Sequence, residues 1–240
     1  MRLNFTVTYQ SFLRRYRRGG LPLPGFKDSK QKQMAYNGSR GIGFGPTPPV
    51  VKNLLIINGL IFLAQYVFQG RDIQLEYWGA LWGIGTGNFK GWQLVTYQFM
   101  HGGIFHIAFN MLTLWMFGTT LENFWGGKRF LFFYIVCGIF AGVAQLIMEN
   151  EGVALGASGS IMGLMAAYAY LFPNTELIVM PLPIPIKAKI LVPLIMAYDL
   201  FGGIGPRGGD NIAHWAHLGG ALSGIIIVLI WNKSNRKTLY

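Results

Sequence analysis

From Val51 to Trp231 the sequence is a series of apolar runs, separated by breaks rich in glycine, proline or charge. The runs fall at about 51–69, 104–121, 130–148, 157–172, 187–203 and 212–231. A helix of ~20 residues rising 1.5 Å per residue covers the ~30 Å hydrocarbon layer of a bilayer. Backbone in lipid must satisfy its own hydrogen bonds, so apolar runs of this kind are expected to be helices. Only 12% of the 240 residues are charged, against ~25% in soluble domains. That leaves too little polar surface for a water-soluble fold. The expected fold class is an all-α polytopic membrane protein with six transmembrane helices. Residues 1–50 read as a basic tail and Gly/Pro linker, 51–232 as the six-span domain, and 233–240 as a short basic tail.

The net charge of +11 does not point to nucleic acid, because the basic residues cluster at the ends of the chain. In membrane proteins such a bias sets orientation. With the N-terminus inside, seventeen of the twenty Lys and Arg fall on the inner side, leaving Arg71, Lys90 and Arg207 outside. Both termini are then cytoplasmic, and the fourth and sixth runs start at the outer face. Residues 1–33 lack the apolar core of a secretory signal. The arginines at 14, 15, 17 and 18, with Asp28 as the single acid, suit a mitochondrial presequence, but a solvated cytoplasmic tail is the preferred reading. The lone Cys137 permits no internal disulfide and reads as a packing thiol.

The connection 70–103 interleaves Trp78, Trp82, Trp92, Tyr97 and other rings with glycines. Aromatic, glycine-broken segments suit the bilayer interface, so short interfacial helices are expected there. The proline-interrupted stretch around Pro181, Pro183 and Pro185 reads as an irregular apolar loop.

Three short patterns carry the chemistry. Gly156-Ala157-Ser158-Gly159 opens the fourth run, with Gly163 four residues on. Ala216-His217-Leu218-Gly219-Gly220 opens the sixth, with Gly224 four residues beyond Gly220. Positions three and four apart share a helix face, and small residues let membrane helices approach closely. His217, Gly220 and Gly224 therefore lie on a face that can meet Gly159 and Gly163. This would bring an imidazole to a serine hydroxyl, a nucleophile with its activating base. His106 and Asn110 share a face at the start of the second run, where polar groups are costly unless used. With the unpaired Ser158 amide at a helix start, they are candidate donors for a developing oxyanion. Singly each signal is weak, since a serine at a helix start is usually a cap.

The combination of GASG at 156–159, AHLGGALSG at 216–224, HIAFN at 106–110 and six runs in this order resembles the rhomboid family of intramembrane serine proteases, over about residues 50–232. The resemblance implies Ser158 as nucleophile and His217 as general base and then acid, a dyad with no acidic third member. It implies His106, Asn110 and the Ser158 amide as the oxyanion hole, with Gly156, Gly159, Met162, Gly220 and Trp92 in support. The fifth span and the loop before the sixth would be the gate for a substrate helix. No cofactor or metal is implied. The expected function is endopeptidase cleavage of single-span membrane proteins near the outer face, in a bacterial inner membrane. The alternative is an inactive rhomboid-like scaffold that binds client helices.

Two positions depart from the family pattern. Gln93 follows Trp92 where many members have arginine, which bears on loop stability. Met162 stands where many bacterial members carry an aromatic that packs on the imidazole. Three further polar residues are assigned structural roles. His214 reads as an interface histidine. Asp199 is expected to hydrogen-bond within the bundle, with Asp199→Asn leaving cleavage intact. Glu122 is expected to tie the turn Gly126–Arg129.

Overall fold

The computed structural model describes residues 46–69, 74–179, 182–204 and 212–237. The basic N-terminal segment, Arg71, the turn at 205–210 and the last three residues lie outside the described residues. Six long helices account for most of the rest: α1 Pro49–Phe68, α2 Ile104–Trp125, α3 Gly127–Met148, α4 Ser158–Leu171, α5 Ala188–Ile204 and α6 His214–Lys237. Each falls on one of the apolar runs. α2 continues past the expected end at 121 and stops at Gly126, whose φ of 80° only glycine adopts freely. α3 begins at the next residue.

Among the described residues, α1, α2, α3 and α6 are long and apolar enough to cross a membrane. α4 has 14 residues and α5 has 17, about 21 and 26 Å at 1.5 Å per residue. The molecule is thus mostly helical, with four helices of membrane length and two shorter ones among the described residues. α4 packs against α2, α3, α5 and α6, and every residue from Gly159 to Tyr168 is buried. A helix apolar on all sides belongs in the middle of a bundle.

The fold is not purely α-helical. β1 Leu81–Trp82 pairs antiparallel with β2 Val153–Ala154. β3 Glu176–Val179 pairs with β4 Leu182–Lys187, with a register irregularity between Ile178 and Val179. The second ribbon replaces the irregular loop expected from the prolines. Proline is tolerated in a strand whose missing N–H is not needed by a neighbour, and a two-stranded ribbon is all edge.

Glu122 holds the turn through its backbone carbonyl, which accepts the Gly126 N–H (2.7 Å), but its side chain serves another element. Its carboxylate accepts the backbone N–H groups of Val50 (3.0 Å) and Val51 (2.7 Å) at the start of α1. α1 follows Pro48, which offers no capping side chain. Its first N–H groups need acceptors from elsewhere, and a carboxylate also suits the positive end of the helix dipole.

The connection 74–103 is built from short helical turns, Leu75–Gly79 and Gln93–Thr96, and 3-10 turns at Ile84–Thr86 and Tyr97–Phe99. Gln93 organises it. Its side chain is almost fully buried, accepts from Lys90 N (3.0 Å) and Trp82 N (3.3 Å), and donates to Asn88 O (3.3 Å). A neutral amide thus holds this loop through backbone contacts. Trp92 is exposed and donates through its indole N–H to Trp78 O (3.2 Å).

The glycine faces meet as expected. A Cβ on Gly220 would press into the Gly159 carbonyl, and one on Gly224 would come 2.6 Å from the Gly163 carbonyl oxygen. A Cβ on Gly163 would lie 2.7 Å from Cys137 Sγ and 3.0 Å from the Gly220 carbonyl oxygen, so the cysteine of α3 packs beside the same seam. Backbone-to-backbone contact draws α4 and α6 together and fixes the relation of their first turns.

Candidate active site

Ser158 is the first residue of α4. Ala157 holds the N-cap position, and no side-chain cap is made there, so the Ser158 hydroxyl does not serve its own helix. The preceding Gly156 has φ 128°, a conformation closed to most residues. Its N–H donates to Tyr97 O (2.8 Å). A Cβ at Gly156 would come 2.8 Å from the His106 ring, so glycine is needed for conformation and for space.

His217 lies three residues into α6, about 5 Å from its start at 1.5 Å per residue. Its Nε2 stands 2.8 Å from Ser158 Oγ. The other ring nitrogen, Nδ1, stands 2.9 Å from Asp199 Oδ1 on α5. Asp199 does hydrogen-bond within the bundle, as expected, but its partner is the imidazole at the site. The same oxygen lies 2.8 Å from His214 Nδ1. The sequence alone did not reveal this because Asp199 and His217 are eighteen residues apart on different helices, with no periodicity linking them.

The start of α6 is anchored by a residue that sequence reasoning passed over. Gln145 on α3 accepts the Ala216 N–H (3.1 Å) and donates to Glu149 Oε2 (2.7 Å). It supplies the acceptor that the first turn of α6 lacks. Two further buried contacts hold α3 and the start of α4 to the connection. Tyr97 Oη donates to Gly138 O (2.6 Å), and Ser160 Oγ donates to Gln98 Oε1 (3.1 Å). For Gln145 the available signal was a lone amide in the third apolar run, because such groups are buried only when paired.

His106 and Asn110 both lie against Gly156, where an added Cβ would meet the His106 ring at 2.8 Å and Asn110 Nδ2 at 3.6 Å. His106 Nδ1 accepts the Gly102 N–H (3.3 Å). Asn110 is buried, and its Nδ2 has no hydrogen-bond partner among the described residues. A buried donor left unmet usually marks a functional position or a bound water. His101, unremarked in the sequence, is buried edge-on to His106 with ring centroids 5.2 Å apart. Burial, with a smaller contribution from His106, pushes the His101 pKa down to about 4, so this ring is neutral at ordinary pH. Met162 is buried in the central apolar cluster.

Residues 88–234 match the family model described as "Rhomboid domain", more than half of the chain. The chain belongs to the rhomboid family. A rhomboid relative from Bacillus subtilis (strain 168), YdcA, named as a candidate rhomboid protease, is 30% identical over 187 residues, covering 75% of this chain and 86% of its own length. The presenilin-associated rhomboid-like protein, mitochondrial, of Rattus norvegicus is 36% identical over 151 residues, covering 59% of this chain. Rhomboid protein 1, mitochondrial, of Saccharomyces cerevisiae is 31% identical over 134 residues. The chain spans about two fifths of the length of the mitochondrial relatives it matches. Rhomboids are typically intramembrane proteases, and this one is an integral membrane protein.

Proposed function

We propose that this rhomboid is an intramembrane serine endopeptidase in which Ser158 and His217 are the reacting pair. The observation that carries the reading is the 2.8 Å separation of Ser158 Oγ and His217 Nε2. At this distance the imidazole accepts the hydroxyl proton as the oxygen attacks a peptide carbonyl. The tetrahedral oxyanion is met by donors from Asn110, His106 and the Ser158 amide. His217 then gives its proton to the leaving amine, and the peptide remains as an ester on Ser158. Water attacks that ester with His217 again as base, and the proton returns to Ser158 as the acid product leaves.

The unmet Nδ2 of Asn110 beside Gly156 supports its role as an oxyanion donor. The domain would comprise residues 51–232, with all six helices embedded and α4 enclosed by its neighbours rather than by lipid. The Lys/Arg bias supports cytoplasmic termini, with the site near the outer face. The Bacillus relative, matched over 86% of its length, supports a bacterial inner membrane. Substrates would be single-span membrane proteins, reached through the bilayer.

The test uses the full chain in liposomes with a fluorogenic transmembrane substrate and a fluorophosphonate probe. Cleavage and labelling are expected with the unaltered chain and absent in Ser158→Ala. His217→Ala should abolish cleavage. A folded chain that neither cleaves nor labels would favour the scaffold reading.

A further inference from the structure

Asp199 is the polar contact through which α5 reaches the site. Among the described side chains of α5, only Ala188, Val192 and Asp199 are buried, while Leu194, Tyr198, Phe201 and Ile204 are exposed. A carboxylate with 2% exposure in such a helix is costly unless its partners repay the desolvation. Its Oδ1 lies within hydrogen-bond distance of Nδ1 on two imidazoles, His217 at 2.9 Å and His214 at 2.8 Å. A carboxylate only accepts, so each ring must present Nδ1–H. For His217 this leaves Nε2 bare and facing the Ser158 hydroxyl at 2.8 Å.

We propose that Asp199 is a positioning residue that fixes the tautomer and ring orientation of His217, making the Ser158–His217 pair part of a three-member array with His214 as a second hold on the carboxylate. When His217 takes the Ser158 proton at Nε2, its Nδ1–H stays on the ring and its new positive charge faces the carboxylate. The proton does not pass to Asp199. The same division of roles holds in serine–histidine–aspartate sites on unrelated folds. His214 occupies the same oxygen and packs edge-on to Tyr198 of α5 (centroids 5.9 Å apart). It thereby limits how far Asp199 can rotate away from His217. Because Asp199 belongs to α5 while Ser158 and His217 belong to α4 and α6, the alignment of the base depends on a third helix. This replaces the expectation that Asp199→Asn leaves cleavage intact.

The inference rests on the protease reading, and the experiment separates the two. Wild type, Ser158→Ala, Asp199→Asn and Asp199→Glu are compared in liposomes for kcat, KM and thermal midpoint. Asp199→Asn is expected to lower kcat by about 10²- to 10⁴-fold, the upper end as for the matching change in a soluble triad. KM should stay within about threefold and the midpoint within a few degrees, because side-chain volume is unchanged and the reacting groups alone lose alignment. Asp199→Glu, which restores a carboxylate, should recover part of kcat. A kcat within threefold of wild type in Asp199→Asn would overturn the inference. Nitrogen-15 shifts of histidine-labelled wild type, with the His217 signals assigned by loss in His217→Ala, read the tautomer without any Asp199 variant. Nδ1–H supports the proposal and Nε2–H overturns it, even if Asp199→Asn fails to fold. Absence of Ser158-dependent cleavage in wild type would instead defeat the protease reading, and the tautomer measurement would still decide the placement of Asp199.

Discussion

Gly220 of α6 faces the Gly159 carbonyl of α4 so closely that no side chain fits between them. Ser158 precedes Gly159, and His217 lies one turn before Gly220, so this contact sets the distance between hydroxyl and imidazole. Gly220→Ala must push on backbone, which yields poorly. Overpacking of this kind costs ~1–3 kcal/mol, and the displaced helices should lose more than tenfold in cleavage. Gly59→Ala on α1, where a Cβ meets nothing within 4 Å, is the control. It should raise the thermal midpoint slightly, since alanine is favoured over glycine in a helix by ~1 kcal/mol. Equal effects of the two changes would show that close approach at Gly220 is unimportant.

Asn110→Ala removes a buried donor with no present partner. Stability should change little. If the amide serves the oxyanion, kcat should fall about 10²- to 10³-fold, the usual effect of losing one such donor. Steady-state kinetics with a thermal melt separate this from a packing defect, which would lower the midpoint as well.

His101 links stability to pH. Its folded pKa of about 4 lies below the ~6.5 of an unfolded histidine. The unfolded chain therefore binds the proton more readily between these values. His101 favours folding fully above about pH 6.5, and this contribution declines as pH falls toward 4. The loss amounts to roughly 3 kcal/mol at 1.36 kcal/mol per pH unit. Thermal midpoints measured from pH 8 to pH 4 should fall across that window, and His101→Asn should flatten the fall.

Glu122 serves two N–H groups at the start of α1. Glu122→Gln keeps one acceptor but loses the charge and should cost about 1 kcal/mol. Glu122→Leu leaves both donors unmet and should cost ~2–3 kcal/mol. The difference between the two variants in denaturation midpoint measures the cap. A role confined to the Gly126–Arg129 turn would give no change in protection of the Val50 and Val51 amides by hydrogen exchange, whereas loss of the cap should expose them.

The helices were legible because an apolar run in lipid has few conformational choices, and each of the six falls where its run lies. The Ser158–His217 approach was legible because Gly159, Gly163, Gly220 and Gly224 repeat at helical spacing. The β3–β4 ribbon was not, since Pro181, Pro183 and Pro185 gave a loop-like signal. Edge pairing tolerates proline wherever no N–H is required, a condition that only strand pairing defines. Glu122 and Gln145 each hold an N–H about seventy residues away along the chain, on α1 and α6, so neither partner was legible in the local sequence.

By itself the sequence determined a membrane-embedded helical bundle with a hydroxyl and an imidazole on matching small-residue faces. Those features depend on composition and local period, which the chain carries in order. Only the tertiary structure decided which acid meets which base. Asp199 could have turned to lipid-facing neighbours, to a backbone donor or to His217, and its place on α5 admits each. The packing of α5 against α6 selects the imidazole at 2.9 Å. The energy of a buried carboxylate is set by the groups that surround it in space rather than by its neighbours along the chain.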